Sequence, residues 1–300
     1  MLTSLGSMPG TNKGSFDDLE YFNKTDARDI TWAHAVNSQD KLNEFLNTNI
    51  LMFEADVIMR FNRNDTEPVM AHPPENNSDL TLETFLKTVK PTKKGIKLDF
   101  KSILPVQLSM DLLKNIFGVT PLKPLWLNAD ILSGPGTTSE LSQPVDAEDF
   151  IHTCTQMFPS ATLSLGWTTA WSKEIASEGY TQSMADEMEN ICRNTTQVIT
   201  FPLRAVYVKR SWEPLRGLLE SSDRYTLTVW SSVGDEVDVQ DLVWLIGQVD
   251  KMRLYMDLPP ELDAELEKDL ASNAGYASRE ITYIACILVA FLSFLIVEFV

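Results

Sequence analysis

The chain of 300 residues carries a formal net charge of −17, and 44% of its residues are hydrophobic. That length suits one large α/β barrel or two smaller domains, and the acidic balance argues against a nucleic-acid partner, whose phosphates need clustered Lys and Arg. The three cysteines, Cys154, Cys192 and Cys286, form no CxxC pair and no even-numbered set, so they point to neither a thiolate zinc site nor a disulfide framework.

Residues 1–27 are rich in Ser, Gly and Asp and lack the basic and apolar regions of a signal peptide, so they read as a flexible N-terminal segment. From residue 28 to about 272, short β-rich runs alternate with helical stripes. The strand candidates are Ile30–Ala35, Ile50–Met59, Gly95–Phe100, Leu125–Ile131, Thr162–Thr168, Val198–Val206, Tyr225–Trp230 and Arg253–Leu258. Ser38 is placed to cap a helix whose Leu42, Phe45 and Leu46 share one face. Leu82, Phe85, Leu86 and Val89 form the next stripe, then Leu108, Leu112, Leu113 and Ile116, closed by Gly118. Four further stripes follow, around Phe150–Phe158, Met184–Cys192, Leu215–Leu219 and Val239–Ile246; their Met and Cys residues read as core.

Eight strands separated by helices in about 245 residues match a (β/α)8 TIM barrel over 28–272. A doubly wound open sheet is the alternative, but no Gly-rich nucleotide fingerprint follows the first strand. The loops Arg60–Asp79 and Ser133–Asp146 are long, and the first carries His72. The run Ile281–Val300 is apolar with one charge, Glu298. It is long enough to cross a bilayer, which takes about 20 residues, and is expected to be a transmembrane or hydrophobic tail helix, with a buried C-terminal helix as the alternative. Sequons at Asn23, Asn64, Asn76 and Asn194 would permit glycosylation in the secretory pathway.

In such a barrel the active site lies at the C-terminal ends of the strands. His34 and Asn37 fall there on the first strand, Glu54 and Asp56 on the second, Asp99 and Lys101 on the third. Carboxylates inside apolar strands are costly to bury unless they meet a cation or one another. Glu54, Asp56 and Asp99 without thiolates describe an oxygen-liganded metal site that suits Mg²⁺ or Ca²⁺. His34 and His72 have the right ordinary pKa for acid and base, and Lys101 would face a phosphate oxygen. Asn128 shares a strand face with Asp130 and is a candidate substrate contact. Arg204 is a candidate phosphate grip. Trp230 ends its strand at the rim, as Trp167 does, where either lines a pocket or packs. His152 is assigned no role. The parts read as metal-dependent cleavage of a phosphodiester or phospholipid-derived substrate. The blander reading has Glu54 and Asp56 bridging Lys97 or Lys101 across strands, on a non-catalytic binding or adhesion protein outside the cell or at a membrane. A sugar-active barrel fits less well, because Glu54 and Asp56 stand on one strand.

The pattern His34, Glu54-Ala55-Asp56, His72 and Asp99-Phe100-Lys101 resembles the glycerophosphodiester phosphodiesterases and sphingomyelinase D enzymes, which share a phospholipase-C-like barrel. More closely, ITWAHAVNS, FEADV, PVMAHPP and KGIKLDFKS resemble the menorin family through most of residues 28–270. That resemblance implies the same barrel and, from some relatives, an extracellular or membrane-bound location. The chain departs from the phosphodiesterases where Arg-Gly follows the first His and Asp the second: Ala35-Val36 and Pro73-Pro74 stand there instead. The phosphate-gripping arginine is therefore missing.

Overall fold

The computed structural model describes residues 18–61, 66–119, 123–137, 143–175 and 178–272. Nine strands are present among them: β1 Trp32–Ala33, β2 Met52–Phe61, β3 Thr66–Met70, β4 Gly95–Phe100, β5 Leu125–Ser133, β6 Thr162–Thr168, β7 Ile199–Arg204, β8 Tyr225–Trp230 and β9 Leu254–Asp257. Eight run parallel in the order β1-β2-β4-β5-β6-β7-β8-β9, and β3 pairs antiparallel with β2. Strictly sequential order excludes the doubly wound sheet and gives a nearly closed barrel of the TIM type. The seam between β1 and β9 is crossed by side chains and loops, including a hydrogen bond from Ala27 N to Lys251 O at 2.8 Å.

Three of the expectations about strands need correction. β1 is two residues long rather than six, because the chain turns away at Ala35, whose φ is +52°. β3 lies inside the expected Arg60–Asp79 loop, where polar residues and Pro68 mask the alternation. Pro68 is tolerated because β3 is an added strand paired with β2 alone. The anticipated 198–206 strand ends at Arg204, and Ala205–Val208 continue as a helical turn.

Helices close the outside of the barrel, and their caps follow from the residues at their starts. Ser38, Thr81, Asp146, Thr181 and Asp238 each accept a hydrogen bond from a backbone N–H in the first turn. Gly118 ends helix Val106–Phe117 at φ +83°, a conformation that costs glycine little. The outward faces of the strands (Phe53, Ala55 and Val57 on β2, Ile96, Leu98 and Phe100 on β4) pack with Phe85, Met110, Phe150 and Met188 from the helices in one apolar core. Each of these side chains larger than alanine, fully buried, contributes about 1.5–3 kcal/mol. Trp167 belongs to this layer, with its ring 5.2 Å from Tyr180, so it packs rather than lining the lumen. Cys154 and Cys192 are buried there, as core.

A second, smaller core plugs the N-terminal end of the barrel. Met52, Trp126 and Tyr255 at the strand starts meet Ile30, Ala27 and Leu19. Trp126 contacts Trp32 and Tyr255 edge-on at 5.0 and 4.9 Å. Of the segment expected to be flexible, Asp18–Phe22 form a helix over this plug, while residues 1–17 lie outside the described residues. Residues 281–300 also lie outside them. Among the described residues no helix is long and apolar enough to cross a membrane.

Candidate functional site

The inward face of each strand is set by its two-residue period, and here that face is polar. In the β2–β4 register Glu54 stands beside Lys97 and Asp56 beside Asp99; Asp99 pairs onward with Asn128 on β5, and Asn128 with Ser164 on β6. The expected residues of the first three staves therefore meet at one mouth. One oxygen from each of Glu54, Asp56 and Asp99 lies within 4.8 Å of the others.

Every carboxylate is positioned by a donor. Asn37 Nδ2 donates to Asp56 Oδ2 at 2.6 Å and its Oδ1 accepts from Asp56 N at 3.0 Å. Ala35 N donates to Glu54 Oε2 at 2.6 Å, which is what the left-handed turn at Ala35 achieves. Asn128 Nδ2 donates to Asp99 Oδ1 at 2.6 Å and is itself fixed by Ser164 Oγ. Lys101 Nζ lies between Asp56 Oδ1 at 2.8 Å and Asp99 Oδ2 at 2.6 Å. His34 Nδ1 donates to Asp257 Oδ2 at 3.1 Å across the seam and stands 3.5 Å from Glu54 Oε2. The His34 ring is 60% exposed, so it faces solvent at the rim while its two acidic partners are buried.

The charges shape one another. The Glu54 carboxylate raises the pKa of His34 to about 9, helped by Asp257, so the imidazole is protonated at neutral pH. Burial and the neighbouring Asp56 push Glu54 up to about 7. Burial also pushes Asp130 up to about 7, with Asp99 adding to it. Burial opposes the charge on Asp99, but Lys101 and Lys97 outweigh it and hold the carboxyl below its ordinary value. Asp257 is likewise held low, by His34 against its own burial.

The outer candidates are less closely joined. His72 is exposed beyond β3, with Nδ1 2.6 Å from Pro73 O, and no hydrogen bond ties it to the carboxylates among the described residues. Ala71 N does bond Asp56 O at 3.1 Å, which anchors that segment beside the site. Arg204 is gripped by Asp235 through Nε at 2.9 Å and Nη2 at 2.6 Å, and stacks 5.3 Å from the Trp230 ring. Asp235 comes from residues 231–238, which with residues 259–265 line a cleft of about 660 Å³. Sequence reasoning missed Asp257, named Lys97 only as a bridging partner for Glu54 or Asp56, and named Asp130 only as sharing a face with Asn128. The signal for each was an acidic or basic residue on the inward parity of an apolar strand.

The donor set fits a hard divalent ion. Oxygens about 2.1–2.6 Å from one centre stand no more than about 5 Å apart, and the three carboxylates meet that limit. Five carboxylates, Glu54, Asp56, Asp99, Asp130 and Asp257, face three cations, His34, Lys97 and Lys101, leaving the fully ionised cluster two negative charges in excess. One divalent ion carries that charge.

Fold and site together define a parallel α/β barrel protein with a carboxylate cluster at the C-terminal mouth. The chain belongs to the menorin family: residues 26–263 match the Menorin N-terminal domain. It is similar to Protein FAM151B of Homo sapiens, at 42% identity over 259 residues, covering 84% of this chain and 92% of that protein. Among solved structures it aligns with an oxaloacetate acetylhydrolase bound to oxalate, at 11% identity and a TM-score of 0.44, covering 89% of this chain and 87% of that one. A dihydropteroate synthetase aligns at 11% identity and 0.41, covering 81% and 93%. Likenesses this distant bear on neither substrate nor mechanism.

Proposed function

We propose that this chain is a divalent-metal-dependent phosphodiesterase of the phospholipase-C-like kind, acting on a phosphodiester or phospholipid-derived head group. One observation carries the reading: oxygens of Glu54, Asp56 and Asp99 converge within 4.8 Å, with His34 Nδ1 3.5 Å from Glu54 Oε2. These three residues would hold Mg²⁺ or Ca²⁺, and a bound ion would polarise a phosphoryl oxygen. His34, oriented by Asp257, donates the proton of its other ring nitrogen to the departing oxygen. His72 is the proposed base that takes a proton from the attacking hydroxyl. Lys101 offers its remaining donor to the phosphate, while Asn37 and Asn128 hold Asp56 and Asp99 in place. Arg204 and Trp230 form the proposed outer edge of the substrate opening. The apolar run 281–300 is proposed to bring the barrel to a membrane surface, where such head groups lie.

A second reading, a non-catalytic binding protein on the same barrel, draws on Lys101. Its ammonium already bridges Asp56 and Asp99 and offsets one of their two charges, occupying the position where an ion would sit. Thermal unfolding against Mg²⁺ or Ca²⁺ separates the two. Ligand at 100 times its Kd adds about 2.7 kcal/mol by mass action, a rise of several degrees that Asp56→Asn should abolish. Turnover of glycerophosphodiesters or lysophospholipids should be lost in His34→Ala. No thermal response and no turnover in the parent protein would reject the enzyme in favour of the binding protein.

A further inference from the structure

Lys97 is the most unusual side chain of the lumen. It is 5% exposed, yet among the described residues it makes no hydrogen bond and no ion pair. Its ammonium lies 5.6 Å from the centre of the Trp32 ring, on the aromatic plug. Its charge is felt by His34, Glu54, Asp99, Asp130 and Asp257, which belong to the ends or faces of five different strands. In register Lys97 lies between Glu54 on β2 and Trp126 on β5, one inward position below Asp99, with the Trp32 ring of the plug beside it. The Lys97 Nζ is not among the fully buried unpaired atoms, so the ammonium keeps a narrow opening to solvent while no protein group among the described residues accepts from its three donors. A buried lysine elsewhere in this chain illustrates the usual solution: Lys123 Nζ donates to the carbonyls of Val89 and Thr92, both at 2.9 Å. Lys101 has also found its acceptors, at Asp56 and Asp99.

We propose that Lys97 is the floor of an anion subsite that receives a phosphoryl oxygen of the substrate. This rests on the phosphodiesterase reading above and sharpens it. Carboxylates outnumber cations around the subsite. Even with Glu54 and Asp130 part-protonated near neutral pH, the remaining excess is negative and repels free phosphate, so the subsite opens to an anion after a divalent cation has offset it. Lys97 is thus a binding residue, and the order is cation first, anion second. A tetrahedral, singly or doubly charged oxygen head accepts from the three donors and balances the ammonium's charge; an uncharged sugar accepts but balances no charge, and a protonated amine is repelled.

The test is thermal unfolding of the full chain with inorganic phosphate as probe, with and without saturating Mg²⁺. Parent protein should gain stability from phosphate when Mg²⁺ is present and not when it is absent. Lys97→Met should keep the Mg²⁺ response, or enlarge it, because a positive charge has left the cluster. It should weaken the phosphate response by about tenfold or more in apparent affinity, the usual scale for a charged hydrogen bond. Lys97→Gln provides a second variant of similar length should the first not fold. Equal phosphate responses in parent and variants overturn the proposal, as does a parent response that ignores Mg²⁺. If Mg²⁺ itself has no effect on the parent, the phosphodiesterase reading fails before the subsite is reached. The two failures are therefore distinct.

Discussion

The two halves of the barrel lumen are built from different chemistry. β2, β4 and β5, with the adjoining ends of β1 and β9, turn His34, Glu54, Asp56, Lys97, Asp99, Asn128, Asp130 and Asp257 inward. β6, β7 and β8 turn in Ser164, Gly166, Thr200 and Thr228, and the Thr200 and Thr228 hydroxyls satisfy each other at 2.7 Å. One half concentrates charge; the other leaves room beside it. Gly166 makes the point: a Cβ there would sit 2.4 Å from Asp130 Oδ1 and 2.9 Å from Pro202 Cγ. At Gly166 a small residue leaves room for Asp130, and the charge that β7 does carry, Arg204 at its end, is paired with Asp235. Catalytic or binding chemistry placed on neighbouring strands gains mutual reach, and the opposite strands gain by staying out of the way.

The contrast can be broken at several points. The largest effect on stability is expected outside the lumen altogether. Leu98 is fully buried between Lys97 and Asp99 in sequence but faces the helices, so Leu98→Ala should cost about 2–5 kcal/mol in chemical unfolding. Its response to Mg²⁺ should survive. Gly166→Ala should cost about 1–3 kcal/mol by overpacking, and, because the methyl meets Asp130, should also alter the Mg²⁺ response. A Gly166→Ala protein with parental stability would show that the neutral half has slack.

The charged half should also be visible in pH. A group whose pKa is higher folded than unfolded binds more protons when folded, so its contribution to stability falls as pH rises between the two values. Glu54 spans 4.5 to about 7, Asp130 spans 3.8 to about 7, and His34 spans 6.5 to about 9. Chelator-treated protein should therefore lose stability as pH rises from about 4 to 9 on account of these three groups. His34→Ala should remove its own portion between about 6.5 and 9 and, because His34 holds Glu54 down, move the Glu54 portion to higher pH. A parallel pair of stability-versus-pH curves would contradict the assigned coupling of His34 to Glu54. The smallest change is Ala35→Gly, which relieves a left-handed φ and should stabilise by less than about 1 kcal/mol, measured as a shift in unfolding midpoint.

Much of this arrangement can be read from the sequence, for a physical reason. Glu54, Asp56, Asp99 and Lys101 stand at odd or even positions of apolar runs, and strand parity converts that spacing directly into a shared face. Helix caps such as Ser38 and Thr181 are equally local. What escapes is non-local. Asp257 joins His34 across the seam over 223 positions of chain, and Asp235 captures Arg204 from another loop; no window of sequence contains either pair. β3 was hidden because its alternation is broken by Glu67 and Pro68. Lys97 was legible as an inward residue, but its lack of a partner is a property of the assembled barrel.

The central claim is that the first three staves meet around one divalent cation, and a crystal structure grown with Ca²⁺ or Mn²⁺ tests it most directly. The account predicts a single ion with oxygens of Glu54, Asp56 and Asp99 within about 2.6 Å, and Lys101 drawn back from at least one of its two carboxylates. Lys101 still seated between Asp56 and Asp99, with no ion beside Glu54 at millimolar metal, would contradict it.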